Sequence, residues 1–486
     1  MSTNSEWVLG PHGPVALRAY PLCTASQTRT LETQVASPLP IHTLMQRAGL
    51  ALARLALAHA PHAHIFWVAC GRGNNGGDGL EAAMHLQRWG KNAIVTLLDG
   101  ASTLPADAAR SLQRAQEAGV AFGDTPPTDW DVCIDALLGI GLRQAPDGAA
   151  LQYIRAIRAG SGLVVAADLP SGLQADTGQP LGECVRADVT LSFLTLKPGL
   201  LTAQGRDLCG NLWLNTLDVE PPAAPDAWVN APEGPTSRPH ASHKGSFGDV
   251  GVLGGATGMA GAALLAASAA LHAGAGRAYL GLLDATQAGG AFATHPELMV
   301  KPLAQWHLDA MAVVAGCGGG ADIAEHLPPL IQNARHLVLD ADALNALAAQ
   351  PPWATLVAHR RPNSTILTPH PLEAARLLGR TTAAVQADRL ASAQALATRF
   401  GCTVILKGSG SVIAAPGQTP RINPTGNARL ATAGTGDVLA GLVGSLMAQG
   451  YSSWEAACLG AYRHGQVADT WLHPQTLTAA TLAKNI

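Results

Sequence analysis

Short β-branched runs alternate with Ala/Leu-rich stretches along both halves of the chain, which predicts parallel sheets covered by helices on both faces. In the first half, the runs at 65–69, 93–98, 132–135, 163–167 and 189–193 predict strands. Helices are predicted at 41–59, 80–89 and 105–118, the last with Pro105 in its first turn and Gly119 just past its end. In the second half, strands are predicted at 250–253, 278–283, 312–315, 336–339, 365–367 and 403–406, and a helix pair at 438–449 and 453–470. The stretch 259–273, rich in Ala, Gly and Leu, ends near His272 and Arg277; it is too short and too weakly apolar to span a bilayer and predicts a buried helix. Between 218 and 240, six prolines remove backbone donors and fix φ, so no regular element is expected there. The boundary falls in this segment, giving domains 1–228 and 229–486.

Composition sharpens that division. A chain of 486 residues, 48% of them hydrophobic, is long enough for two cores, because single cores stop growing at about 250–300 residues. Only 13% of residues are charged and the formal charge is -3, so no field exists to hold nucleic acid or an anionic membrane. The 8 cysteines are scattered without a C-x-x-C pair and read as reduced, buried thiols. The start, MSTNSEW, lacks the basic and apolar stretches of a signal peptide, so a cytoplasmic location is expected.

The chemistry of the first half gathers at predicted strand ends. The first strand runs into Cys70-Gly71-Arg72-Gly73-Asn74-Asn75-Gly76-Gly77-Asp78-Gly79, where open α/β sheets bind ligands. Gly71, Gly73 and Gly76 satisfy G-x-G-x-x-G, and Asp99 ends the next strand, so a dehydrogenase is the natural rival. A pyrophosphate seat does not need Asn74, Asn75 and Asp78, whereas a loop wrapping a sugar-phosphate or a cation does. A merely tight turn explains one or two glycines, not this set. Two further strands lead into Asp135-Ala136-Leu137-Leu138-Gly139-Ile140-Gly141-Leu142-Arg143 and Asp168-Leu169-Pro170-Ser171-Gly172. The oxygens of Asn75, Asp135 and Ser171 are hard ligands suited to K⁺ or Mg²⁺, although each Asp alone could equally be a helix cap. His59, His62 and His64 precede the first strand, at the opposite sheet edge, and are set aside as zinc ligands.

These loops, with Lys197-Pro198-Gly199 and Met45-Gln46-Arg47-Ala48-Gly49, resemble the NAD(P)H-hydrate epimerase family over residues 20–217. The resemblance implies a Rossmann-like domain whose substrate is a nicotinamide cofactor damaged by addition of water. It implies that Asn74, Asn75, Gly76, Gly77, Asp78, Gly139, Ile140, Gly141, Leu142, Arg143, Gln144, Ala145 and Asp168 hold that substrate, and that Asn75, Asp135 and Ser171 hold K⁺. Equilibrating the two hydroxyl epimers needs an acid and a base, a role expected to be shared by Asp168 and Lys197.

In the second half, Gly434-Thr435-Gly436-Asp437 opens the apolar helix at 438–449. Free amides of a first helical turn point out of the helix, glycines let them approach a phosphate, and Asp437 stands ready to take a proton from an attacking hydroxyl. An ordinary N-cap is the plainer reading of Asp437, disfavoured by the glycines. A second glycine loop, Lys407-Gly408-Ser409-Gly410-Ser411, follows the strand at 403–406; it is not a Walker sequence, and Lys407 alone could be a hairpin surface residue. Asp340-Ala341-Asp342 and Thr368-Pro369-His370-Pro371-Leu372-Glu373 follow two further strands.

With His243-Lys244-Gly245, these motifs are similar to the ribokinase-like superfamily and, more narrowly, to the ADP-dependent NAD(P)H-hydrate dehydratases, over residues 240–468. The resemblance implies that Ala262, Gly318, His370 and Asp437 touch the hydrated cofactor. It implies that Lys407, Gly408, Ser409, Gly410, Ser411 and Gly436 hold ADP as co-substrate, with Mg²⁺ neutralising the phosphates. The family's G-P-G-x-G stands here as Gly316-Cys317-Gly318-Gly319-Gly320, which puts the loop's preorganisation in question. The fold expected is thus α/β, two α/β/α sandwich domains, N-terminal Rossmann-like and C-terminal ribokinase-like. The activity expected is epimerisation of the R and S hydrates and ADP-dependent dehydration of the S hydrate, with small-molecule partners and a homo-oligomeric assembly. The alternatives are a vitamin or sugar kinase with a regulatory first half, and an interaction module in place of the epimerase.

Overall fold

The computed structural model describes residues 5–9, 19–98, 104–234, 238–289, 295–472 and 474–486. Asp99 lies outside them. The chain forms two compact units, Met1–Trp228 and Val229–Ile486.

In the first unit an eight-stranded sheet runs in the order Ser5–Leu9, Asn211–Asn215, Val189–Phe193, Leu163–Ala167, Val132–Ala136, Ile65–Cys70, Asn92–Leu97, Ala121–Gly123. Ser5–Leu9 pairs antiparallel, and the remaining pairs are parallel. Strand order reverses between Ile65–Cys70 and Val132–Ala136, which opens a crevice at their carboxyl ends. Alternation along Ile65–Cys70 builds both faces. Phe66, Val68 and Cys70 join Leu52, Met84 and Leu86 in one core cluster, while Trp67 and Ala69 join Tyr153, Ile154 and Ile157 in another.

One helix differs from the sequence expectation. It spans Asn74–Arg88 rather than 80–89, so the Asn and Gly residues expected in a loop form its first two turns. Close packing overrides their weak helix propensity. A Cβ on Gly76 would stand 1.9 Å from the Gly71 carbonyl oxygen, one on Gly77 2.6 Å from Met45 Sδ, and one on Gly79 2.7 Å from Ala136 Cβ. The proline-rich segment also holds one regular element, Ala227–Val229, which pairs antiparallel with Pro21–Leu22.

The second unit has its own mostly parallel sheet, ordered Met299–Val300, Arg277–Leu282, Asp249–Gly254, Ala312–Ala315, His336–Leu339, Thr365–Leu367, Thr403–Leu406, Val412–Ala414, Arg421–Ile422. The last two pairings are antiparallel, so Thr403–Leu406 and Val412–Ala414 form a hairpin around the Lys407–Ser411 turn. Val250 and Val252 pack with Ala263, Ala266, Leu442 and Val443 from helices Ala260–His272 and Thr435–Ala448. Gly251 faces the other way, beneath the Trp306 ring. Both units are thus α/β/α sandwiches, the first Rossmann-like and the second ribokinase-like. No helix among the described residues is long and apolar enough to cross a membrane. All eight cysteines are free and buried.

Candidate active sites

In the first unit the carboxyl ends of the central strands open into a cavity of about 1440 Å³. Asn74, Asn75, Asp78, the loop 139–145, Asp168 and Lys197 all line it. Gly76 and Gly77 do not; they lie under the wall, where their missing side chains let the helix descend onto Gly71 and Met45. Gly71 must itself be glycine, because a Cβ there would stand 1.8 Å from the Leu137 carbonyl oxygen.

Asp135 and Ser171 are fully enclosed behind this wall. Ser171 donates from Oγ to Asp135 Oδ1 at 2.6 Å and from its backbone N–H to Oδ2 at 2.8 Å. The Leu138 N–H donates to Ser171 Oγ at 2.9 Å. Burial pushes the Asp135 carboxyl up to about 6, against the hydrogen bonds from Ser171 and Leu137 that favour its charge. Asn75 packs against Gly139, and its side-chain Nδ2 is buried without a hydrogen-bond partner among the described residues.

Asp168 and Lys197 meet as a buried ion pair. Asp168 adopts φ +66°, unusual for a residue with a Cβ, and its Oδ1 also accepts from the Phe193 N–H at 3.0 Å. Lys197 donates in addition to Ser192 Oγ at 3.2 Å and the Phe193 carbonyl at 2.9 Å. Its side chain is 0% exposed, which makes these internal partners decisive for what the ammonium can do. Glu32 lines the same cavity, and nothing in its sequence context singled it out. Burial raises its carboxyl, reinforced by the nearby Asp168 charge and opposed by Lys197, by a hydrogen bond from Asn74 and by Arg29. Asp78 is raised further, by burial and then by Asp168, Glu32 and Glu81, against Lys197.

The site of the second unit is also built at strand ends. Lys407 donates to Asp340 Oδ1 at 2.7 Å, which also accepts from Thr368 Oγ1 at 2.7 Å. Burial would lower the Lys407 ammonium, but the Asp340, Glu373 and Asp437 carboxylates outweigh it and raise the group. Lys407 is therefore a half-hidden ion-pair partner rather than a hairpin surface residue. Gly434, at φ +90°, caps helix Thr435–Ala448, whose first turn lies beside this lysine; a Cβ on Gly436 would lie 3.2 Å from Lys407 Nζ.

Asp437, Asp340 and Cys317 bring their polar atoms within 4.8 Å of one another. Burial, then the Asp340 charge, push Asp437 up to about 6. The Gly316–Gly320 loop is held without its proline. Gly255 N–H donates to the Cys317 carbonyl at 3.1 Å, Ala256 N–H to the Gly318 carbonyl at 2.8 Å, and Gly320 N–H to Asp342 Oδ2 at 2.9 Å. Ala262 and Gly318 adjoin, since a Cβ on Gly318 would stand 3.0 Å from Ala262 Cβ.

His370 caps helix Pro371–Leu378. Its Nδ1 accepts from the Leu372 and Glu373 N–H groups, and its Nε2 lies 3.1 Å from Glu373 Oε1. Both ring nitrogens are thus engaged, leaving the ring face for a ligand. Burial, then the Asp340 charge against Lys407, push Glu373 up to about 7. Below the glycine turn, Arg389 is 2% exposed and donates to the Leu406 and Lys407 carbonyls at 3.2 and 3.1 Å. His464, likewise buried, bonds the Thr435 carbonyl at 2.8 Å. Glu373, Arg389 and His464 were absent from the sequence-derived site; only Glu373 lay in a quoted motif.

Two enzyme-like sites, one per unit, define the class, and comparison with known proteins supplies the family. Residues 41–199 match the family described as YjeF-related protein N-terminus, and residues 250–486 match NAD(P)H-hydrate dehydratase. The bifunctional NAD(P)H-hydrate repair enzyme of Escherichia coli is 37% identical, over 89% of this chain and 85% of its own length. That of Moorella thermoacetica is 35% identical, over 92% of each. A Bacillus subtilis ADP/ATP-dependent NAD(P)H-hydrate dehydratase, co-crystallised with ATP and Mg²⁺, is 29% identical over 52% of this chain and 91% of its own, with a TM-score of 0.45. The chain belongs to the family of bifunctional NAD(P)H-hydrate repair enzymes.

Proposed function

We infer that this chain repairs hydrated NADH and NADPH. Its first unit epimerises the R and S hydrates, and its second unit dehydrates the S hydrate with ADP, releasing NAD(P)H, AMP and phosphate. The observation that carries this is the coexistence of two unlike sites in one chain. One is a large cavity walled by the buried Asp168–Lys197 pair, and the other is a glycine-lined helix start with Lys407 and Asp437 beside it.

In the first unit, Asn74, Asn75, Asp78 and the loop 139–145 hold the dinucleotide, Gly76 and Gly77 let the helix wall approach, and the Asp168–Lys197 pair forms the centre of the acid–base chemistry. Asn75, Asp135 and Ser171 fit K⁺. They offer hard oxygens and, among the described residues, a buried carboxylate with no basic side chain among its hydrogen-bond partners. K⁺ there would neutralise Asp135 and fix the two loops that Ser171 and Leu138 join.

In the second unit, Ala262, Gly318 and the His370 ring hold the hydrated nicotinamide, and Lys407–Ser411 with Gly436 hold ADP. Asp437 takes the proton of the substrate hydroxyl as its oxygen attacks the terminal phosphorus of ADP. Hydroxide leaves poorly and phosphate leaves well, so the ester eliminates and restores the double bond. Asp340 and Asp437 bring carboxylate oxygens within 4.8 Å of each other and would hold Mg²⁺, which would supply charge neutralisation at the phosphates. Free, buried cysteines accord with a cytoplasmic location. A homo-oligomeric assembly belongs to the same reading.

The test is to give the protein hydrated NADH of mixed stereochemistry with ADP and follow the reduced-nicotinamide absorbance. Complete recovery is expected, falling to the S fraction in Asp168→Asn. No nucleotide-dependent recovery would refute the reading.

A further inference from the structure

We propose that Glu32, rather than Lys197, donates the proton to the substrate hydroxyl during epimerisation. The proposal rests on the epimerase reading above and begins from a count of donors. An ammonium has three N–H bonds. Those of Lys197 go to Asp168 Oδ1, Ser192 Oγ and the Phe193 carbonyl, and its side chain is fully enclosed. No donor is left for a ligand, so Lys197 is a positioning residue that acts by holding Asp168. The acid must come from another group on the wall.

Four other carboxyls line the wall, Glu32, Asp78, Asp107 and Asp147, and of these Glu32 and Asp78 stand close enough to Asp168 to feel its charge. Glu32 stands on helix Ala25–Ala36 and Asp168 at the strand ends, so the two carboxyls reach one cavity from different elements. The charged and polar groups that meet Glu32 are Asp168, Lys197 and Asp78, with Asn74 hydrogen-bonded to it and Arg29 on its own helix. Burial and the Asp168 charge favour a protonated Glu32 beside an Asp168 held by an ammonium, the division of labour an acid and a base require. Asp78 stands in the second turn of helix Asn74–Arg88, and burial raises its carboxyl too, so the Asp78→Asn variant below separates the two groups.

Water adds to an enamine at the carbon bonded to nitrogen, so the hydroxyl and the ring nitrogen share one carbon. The nitrogen lone pair forms C=N as the C–O bond breaks, and the Glu32 proton leaves with that oxygen as water. Water then re-adds from the opposite face: its oxygen forms the new C–O bond, the C=N π pair returns to nitrogen, and its proton passes to Asp168. Transfer of that proton back to Glu32 through solvent closes the cycle without an oxidant or reductant. In the reverse direction the two carboxyls exchange roles.

The experiment uses the full chain, a single purified NADH hydrate epimer and no ADP, with epimer exchange followed by chromatography across pH. Dehydration of the S epimer with ADP serves as the control. Glu32→Gln is expected to lose exchange by about 100-fold or more while dehydration is unchanged. Wild-type exchange is expected to fall as pH rises through the Glu32 titration, a limb absent in the glutamine variant. Exchange at the wild-type rate in Glu32→Gln, or its loss in Asp78→Asn alone, would overturn the proposal. If Glu32→Gln also loses dehydration, Glu32→Asp decides: the limb moves with the new carboxyl if the proposal holds and stays if it fails. No exchange by the wild type would instead refute the epimerase reading itself.

Discussion

Replacing Asp437 by Asn should stabilise the second unit while abolishing its chemistry. Burial and the Asp340 charge lift Asp437 from 3.8 to about 6. At 1.36 kcal/mol per unit, holding it ionised at pH 7 costs about 3 kcal/mol, reduced to about 1–2 kcal/mol because the side chain is partly wet. The folded state binds this proton more tightly than the unfolded state, so its contribution to stability is complete below about pH 4 and is lost as pH rises to about 6. The asparagine variant, with no proton to lose, keeps that stability. Thermal unfolding of the full chain from pH 4 to pH 8 should therefore show the second unit of the variant melting above wild type at pH 7, with the difference closing near pH 4. ADP-dependent dehydration should fall by about 10²–10⁴-fold. A variant that melts at or below wild type at pH 7, or whose advantage persists unchanged at pH 4, would refute this account of the Asp437 site.

Gly76→Ala should abolish exchange and spare dehydration, because its Cβ would stand 1.9 Å from the Gly71 carbonyl and overpack the first unit by about 1–3 kcal/mol; separate assays of the two activities check this. Lys407→Met should strand the buried Asp340 carboxylate at a cost of about 3–5 kcal/mol and remove measurable ADP binding by calorimetry. Asp135→Asn should make epimer exchange indifferent to replacement of K⁺ by tetramethylammonium, whereas wild-type exchange should drop on that replacement.

Strand ends were legible in the sequence because buried parallel strands read as short β-branched runs closed by glycines and acids. Val132–Ala136 and Leu163–Ala167 lie within a residue of their expected places, with Asp168 on the cavity and Asp135 enclosed behind its wall. The start of Asn74–Arg88 was not legible. Local propensity makes Asn-Asn-Gly-Gly a loop, and only the close approach to Gly71 and Met45 makes it a helix. The short strands Ala121–Gly123, Val412–Ala414 and Arg421–Ile422 carry too few residues for a periodic signal. Glu32, Arg389 and His464 escaped for another reason: each reaches its site from an element distant in sequence, so only the tertiary fold brings it there. An arginine that bonds carbonyls 17 and 18 residues away looks in sequence like any solvated helix arginine.

In the proposed dehydration the second unit makes a phosphate ester only in passing. Purified S hydrate with ADP and Mg²⁺, sampled for AMP, inorganic phosphate and NADH in the same reaction, tests it most directly. All three are expected to appear together in equal amounts. A phosphorylated nicotinamide accumulating with AMP, without inorganic phosphate or NADH, would mark the unit as a kinase and contradict it.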